Sequence, residues 1–510
     1  MEPRLKGSYL YLMRPSDLFI PLDRDCGKSL QDQVFDALRQ MVLAGRLAPD
    51  TRLPASRALS VNLAVGRNTI IAAYERLAAE GYVVTASGGG TRIAKLTPEH
   101  VMDVGGKDAA HGHESSSAFA TSPRGRDLLV TRGDLPMAER PAAFSPGHPA
   151  IDVFPKMLWG RLMAEAIRSS HADDLNYGHV AGWPDLRTAI AAQVQAARGV
   201  VAEPDQVIIT TGTQAGLVLA VQLLTQAGDD VWLEDPGYLG ARAAFAGAGC
   251  RINAVPVDDQ GLNIDAGLEL SRNPKLIYVT PSHQFPKGVT LSLARRLRLV
   301  DEPALGDAVI LEDDYDSEFR FSGRPLSSLQ GLAVDRQGNG ARVIYLGTFA
   351  KTLFPALRIG FLVVPKGLID VFTRGVRAMG LAPPIQTQMA LTRFIADGHY
   401  ASHIRRMRLI YQRRQAITLD AIRTYFGPAA PGIIPDGGMQ LPLRLDLPQG
   451  DMWLKAAGEQ AGLSLSPLSR LSLSGDGWIG LHLGYGAVAD HDIAPQIKRL
   501  SALVEHGHAS

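Results

Sequence analysis

Between about Pro141 and the C-terminus, short apolar runs recur at intervals long enough to hold a helix. Examples are Val207-Ile208-Ile209, Val231-Trp232-Leu233, Leu276-Ile277-Tyr278-Val279, Val309-Ile310-Leu311 and Val343-Ile344-Tyr345-Leu346. A run that is apolar throughout, not at alternate positions, describes a strand covered on both faces. Such strands alternating with helices predict an α/β domain on a mostly parallel sheet. At 510 residues the chain is too long for one core, so two or three domains are expected. No internal repeat is evident.

The N-terminal part reads differently. Ser29 caps a helix with Leu30, Val34, Leu38 and Met41 on one face, and Gly45 ends it. A second short helix is expected over Leu53-Pro54-Ala55-Ser56-Arg57-Ala58-Leu59, and a third opens at Gly66-Arg67-Asn68-Thr69 and stops at Gly81. Tyr82-Val83-Val84-Thr85 and Thr91-Arg92-Ile93 flank Gly88-Gly89-Gly90, the pattern of a hairpin. Three helices and a hairpin make a winged helix-turn-helix. The predicted organisation is an N-terminal arm (1–28), a winged helix (29–96), a linker (97–140) rich in Gly, Ser, His and Asp, and a large domain (141–510).

Composition narrows the function. Formal net charge is only +1, so affinity for nucleic acid must come from a local patch. Cys26 and Cys250 are the only cysteines, which argues against a disulfide framework and fits a reducing cytoplasm. Met1 to Pro21 lacks an uninterrupted apolar core, and no long apolar run occurs elsewhere, so neither signal peptide nor membrane span is expected. No metal site is expected either.

A recognition helix presents its N-terminal residues to the base edges of the major groove. Here those residues are Arg67, Asn68 and Thr69: arginine can fork onto guanine, asparagine onto adenine, and threonine suits phosphate. Arg52, Ser56 and Arg57 precede them, and Arg92 lies on the wing. On composition alone these arginines would equally well solvate a small helical domain.

The large domain carries its own ingredients. Thr210-Thr211-Gly212-Thr213-Gln214-Ala215-Gly216 follows a strand and opens a helix, which offers backbone N–H groups to a phosphate, although many such turns only connect elements. Tyr238, in Glu234-Asp235-Pro236-Gly237-Tyr238, can stack on a flat ring. Glu312-Asp313-Asp314-Tyr315 ends a buried strand, where a carboxylate can hold the proton of a pyridinium. Gly347-Thr348-Phe349-Ala350-Lys351 sets one of the chain's eleven lysines among small and apolar neighbours, with Arg358 two helical turns beyond. A desolvated lysine stays nucleophilic toward an aldehyde. Together these ingredients point to pyridoxal 5'-phosphate (PLP).

Two resemblances sharpen this reading. Gly45-Arg46-Leu47-x-Pro49-x-x-Arg52-Leu53-Pro54-x-Ser56-Arg57, with Arg67-Asn68-Thr69 and Glu80-Gly81-Tyr82, resembles the GntR-type winged helix, which implies operator contacts by Arg57, Arg67, Asn68 and Thr69. The family's usual Gly-Ser-Gly-Thr wing is Gly88-Gly89-Gly90-Thr91 here. With Thr280-Pro281-Ser282-His283-Gln284-Phe285-Pro286-Lys287-Gly288, Asp313-Asp314-Tyr315-Asp316-Ser317-Glu318-Phe319-Arg320 and the Lys351 motif, the whole chain resembles the MocR/GabR family of bacterial regulators. These fuse a GntR-type domain to a fold type I aminotransferase-like domain with a small C-terminal α/β subdomain.

The resemblance implies Lys351 as the Schiff-base lysine, Asp313 at the pyridine nitrogen, Tyr315 at the 3'-oxygen and Tyr238 as the stacking ring. Thr213, Gln214, Thr348 and Arg358 would form the phosphate site. It also implies a cytoplasmic, head-to-tail homodimer on double-stranded operator DNA, controlling vitamin B6 or amine and amino-acid genes. PLP, or PLP with an amino compound such as γ-aminobutyrate or taurine, would be the effector. The chain departs from the family at Ala350, where serine is common, and at Lys287, where threonine is usual. Phe285 replaces the asparagine of catalytic aminotransferases, and His482 stands where an arginine binds the substrate carboxylate. These departures imply a sensor with at most weak transamination; the alternative is a working aminotransferase with an appended helical domain.

Overall fold

The computed structural model of the chain describes residues 18–95 except 19, 25 and 87–89, residues 122 and 125, and residues 143–508 except 322–325, 339–340, 428–429, 431–433 and 476–477. Most of the expected N-terminal arm and linker, and Gly88-Gly89 of the wing, lie outside the described residues. Met1–Phe119 and Ala120–Ser510 form two separate units.

In the first unit, Ser29 Oγ accepts the Asp32 N–H at 3.1 Å and starts α1 (Leu30–Leu43). Val34, Phe35, Leu38 and Val42 recur at helical spacing and are buried together. The second helix, expected over 53–59, is α2 (Ser56–Asn62). Its start is displaced because the chain before Pro54 is engaged elsewhere: Arg52 bridges Arg92, and the Leu53 N–H donates to Thr91 O at 2.8 Å. That segment is thereby an extra edge of the wing. α3 (Arg67–Ala79) buries Ile70, Ala73, Tyr74 and Leu77, and the wing pairs β1 (Val83–Ala86) with β2 (Gly90–Ile93) antiparallel. Leu18 and Ile20, from the segment expected to be an arm, are buried in the same core. Their apolar side chains gain more from the helices than from water.

The second unit is built on an eight-stranded sheet. Its strands are β3 (Val207–Thr210), β4 (Asp230–Asp235), β5 (Arg251–Asp258), β6 (Gly261–Leu262), β7 (Leu276–Val279), β8 (Val309–Asp314), β9 (Val343–Thr348) and β10 (Gly360–Val363). The order is β3-β10-β9-β8-β7-β4-β5-β6, parallel from β9 through to β5. Every apolar run singled out in the sequence is one of these strands. β10 lies antiparallel between β3 and β9 and inserts where a purely parallel order would have joined them. A smaller antiparallel sheet orders β11 (Gln440–Arg444), β13 (Gly480–Gly484) and β12 (Ser466–Pro467).

The end of β8 presents three consecutive buried carboxylates, Glu312, Asp313 and Asp314. Strand alternation sends Glu312 and Asp314 to one face and Asp313 to the other. Glu312 accepts the N–H groups of Leu329 and Gln330, each at 2.9 Å, at the start of a helix (Leu329–Gln337). Asp314 pairs with Arg198 Nε at 2.6 Å and accepts the Tyr345 hydroxyl at 2.7 Å. Arg198 ends the helix Pro184–Arg198 and also donates to Leu326 O and the Ser282 hydroxyl. Removing one partner strands the other charge inside the protein. Arg198→Met is therefore expected to cost about 3–5 kcal/mol in urea denaturation, and Arg198→Met/Asp314→Asn is expected to recover part of that loss.

Candidate functional site

The carboxyl ends of β3, β4, β8 and β9 converge on a cavity of about 420 Å³. Thr213, Gln214, Tyr238, Asp313, Tyr315, Thr348, Lys351 and Arg358, the set predicted for the cofactor, all line it. A crevice at the carboxyl ends of parallel strands is where open α/β sheets bind ligands.

At one part of the wall Gly212 opens the helix Thr213–Leu224. Its φ of +97° is open to glycine and strained for other residues, and a Cβ there would lie 3.5 Å from the Arg358 guanidinium. Arg358 thus flanks a helix N-terminus, and Thr348 lines the same cavity with its Oγ1 accepting the Ala350 N–H at 3.1 Å. Amide donors, a hydroxyl and a guanidinium make an anion cup. Arg358 does not ride on an α-helix continuing from Lys351. Pro355 opens a single 3₁₀ turn, Pro355–Leu357, and Arg358 itself is left-handed at φ 52°.

Asp313 faces the cavity from β8. Its Oδ2 accepts the Tyr278 hydroxyl at 2.6 Å, while its Oδ1 is buried without a hydrogen-bond partner. Burial raises its pKa to about 6, against the Tyr278 hydrogen bond and with the Asp314 charge adding to the rise. Lys351 donates from Nζ to Gly147 O at 2.7 Å. Burial pulls its pKa below the ordinary lysine range, opposed by the carboxylates of Asp316 and Asp313. Gly147 has φ +69°, and a Cβ on it would come within 2.6 Å of Lys351 Nζ.

Aromatic rings hold the remaining wall. Tyr238 lies near-parallel to Tyr278 at 6.4 Å, and its hydroxyl donates to Gln214 Oε1 at 3.2 Å. Gln214 in turn donates to Gly240 O, and the Thr213 hydroxyl to Gly347 O. Phe285 meets Tyr238, Tyr315 and His482 edge-on. Where an asparagine would offer a hydrogen bond, this chain offers a ring edge. Gly147, Tyr278 and Gln440 escaped the sequence reading. Of these only Tyr278 carried a signal, as the one polar tip in an otherwise aliphatic strand.

In the first unit, Arg67 and Asn68 are exposed at the first turn of α3. Arg67 Nε donates to Ser56 Oγ at 3.4 Å, so these two predicted residues adjoin. Arg52 and Arg57 are exposed, and Thr69 is half-buried. Arg92 donates to Asp50 O at 2.9 Å, and the Arg52 guanidinium packs against the wing glycine Gly90.

Residues 30–93 match the bacterial regulatory proteins of the gntR family, and residues 156–479 match aminotransferase class I and II. The chain is 41% identical to the probable rhizopine catabolism regulatory protein MocR of Rhizobium meliloti, over 92% of each. This chain belongs to the MocR family of transcriptional regulators. Another member, the pyridoxine biosynthesis regulator PdxR of Corynebacterium glutamicum, is 30% identical over 96% of this chain and all of its own. Among solved structures, the α-aminoadipate aminotransferase LysN of Thermus thermophilus superposes with a TM-score of 0.66 at 28% identity, covering 76% of this chain and 96% of that one. MocR-type regulators join DNA binding to a PLP-dependent aminotransferase domain, and the cavity suits that cofactor. An anion cup, an amine and a buried carboxylate with one unpartnered oxygen share one space.

The raised Asp313 pKa has a cost when the cavity holds no partner for it. The native carboxyl keeps its proton up to about pH 6, whereas an unfolded one releases it near 3.8. The native state therefore binds more protons in that window, and the group's contribution to stability falls as pH rises through it. Asp313→Asn is expected to stabilise the cofactor-free protein at pH 8 by on the order of 3 kcal/mol. The gain should vanish below the unfolded value of 3.8, read from urea midpoints across pH.

Proposed function

We propose that this regulator is a cytoplasmic promoter switch whose hold on operator DNA is set by PLP, alone or with an amino compound, and that it controls vitamin B6 or amine and amino-acid genes. The observation that carries this reading is one chain holding both an arginine-led recognition helix and a cavity lined by the complete predicted cofactor set. The regulators of rhizopine catabolism and pyridoxine biosynthesis among its relatives support the choice of target genes. The working form is a head-to-tail homodimer, as fold type I domains imply, with two reading heads for paired half-sites.

Bound in the cavity, PLP supplies an aldehyde and an electron-accepting pyridine ring. Lys351 would present its amine to that aldehyde, and its lowered pKa keeps a larger fraction uncharged. Asp313, steadied by Tyr278 at Oδ2 and unpartnered at Oδ1, would hold a proton at the ring nitrogen. Tyr315 would face the 3'-oxygen, Tyr238 would cover the ring, and Arg358, Thr348, Thr213 and Gln214 would hold the phosphate. In the head, Arg67 and Asn68 read bases, while Arg52, Ser56, Arg57, Thr69 and Arg92 hold the backbone. A ligand that favours one arrangement of the linked domains shifts the DNA-competent population by the difference in its affinities.

Lys351→Ala is expected to lose covalent trapping of PLP by borohydride, read as the absence of the added cofactor mass in intact-protein spectra. Trapping that persists would move the reactive amine elsewhere. Arg67→Ala is expected to weaken binding to the promoter beside its own gene by about 1–3 kcal/mol in gel shifts. Wild-type protein on the same promoter should respond to added PLP, and a promoter grip indifferent to PLP and to amines would overturn the switch.

A further inference from the structure

Beyond the residues assigned to the cofactor, the small sheet sends two more side chains to the cavity wall. Gln440 starts β11 and His482 is central in β13, where Gln440 registers with Gly484 and Pro442 with His482. Both are almost wholly buried, at 3% and 1% exposure. Gln440 Oε1 and His482 Nδ1 have no hydrogen-bond partner. Buried polar atoms are rarely left so, and each such atom calls for a ligand or water. Gln440 lies near the reactive amine, since a Cβ on Gly147 would sit 3.8 Å from its Oε1 and 2.6 Å from Lys351 Nζ. His482 is held edge-on by Phe285 at 4.9 Å.

Neither side chain carries charge. Burial drives the His482 pKa down to about 3, with His283 adding to the effect, so its ring is neutral at physiological pH. A carboxylate set against this wall would shed its hydration and gain no cation from it. It also has no proton to give, so Gln440 Oε1 would stay unpartnered. A hydroxyl both donates and accepts, and matches an amide oxygen and a neutral imidazole together. Lys455 and Arg470 line the same cavity, but both are half-buried and already engaged with other groups.

Resting on the PLP reading above, we propose that the effector of this regulator is an amino compound bearing an uncharged hydroxyl, not an amino acid, and that Gln440 and His482 select it. The test is calorimetric titration of full-length, PLP-loaded protein with 4-aminobutan-1-ol and γ-aminobutyrate, which share chain length and differ in the far group. The amino alcohol is expected to bind about tenfold tighter or better. His482→Arg, which offers a carboxylate a guanidinium partner, is expected to reverse the ratio of the two affinities. His482→Leu, which removes the ring's hydrogen-bonding atoms, should bring the ratio toward unity. Tighter binding of γ-aminobutyrate to the wild type overturns the proposal. So does a γ-aminobutyrate affinity that rises about tenfold per unit fall in pH, the mark of an imidazole recruiting a proton to hold the carboxylate. Failure of both amines to bind, with PLP alone still changing promoter retention, removes this proposal and leaves the regulator standing.

Discussion

Everything in the large unit is arranged around three adjacent carboxylates at the end of one central strand. Packing Glu312, Asp313 and Asp314 side by side in a nearly dry sheet is unfavourable unless each finds a partner. The pleat divides the problem. Glu312 is met by the first N–H groups of a helix and Asp314 by Arg198 and Tyr345, all behind the sheet. Asp313 alone faces the cavity, with one oxygen fixed by Tyr278 and the other left open. Asp314 also keeps one buried oxygen unpartnered, but the Arg198 charge offsets its own, whereas Asp313 has no cation bonded to it.

Much of this was legible in the sequence because strands buried on both faces advertise themselves as unbroken apolar runs. The end of each run marked the cavity rim, so Asp313, Tyr238 and Lys351 could be placed without coordinates. Local signals failed where the deciding partner is remote. Arg198 sits 116 residues from Asp314, and Gly147 lies 204 residues from Lys351. β10 was missed since Gly360-Phe361-Leu362-Val363 follows the lysine turn too closely to resemble a parallel strand. α2 was misplaced because Leu53, its expected first residue, bonds the wing at Thr91, a tertiary contact that overrides helix preference.

The small sheet shows how one scaffold supports different sensitivities. Phe285 and His482 offer the cavity a ring edge and a neutral imidazole, and they pack on each other. A change at one of them alters the wall seen by the other. The cofactor cup, built from a helix end, Thr348 and Arg358, stands on other elements and is insulated from such exchanges. On the proposed reading, recognition of the cofactor and of the effector would rest on separate parts of the fold.

Gly147 has a consequence for how such a protein can drift. The acceptor for the reactive amine is its main-chain carbonyl, which every residue type possesses, so no side-chain exchange deletes it. The hazard is conformational: at φ +69° a side chain strains the backbone, and its Cβ would displace the tip of Lys351. Exchange at this spot therefore acts by straining the backbone and pushing the lysine tip, not by deleting its acceptor.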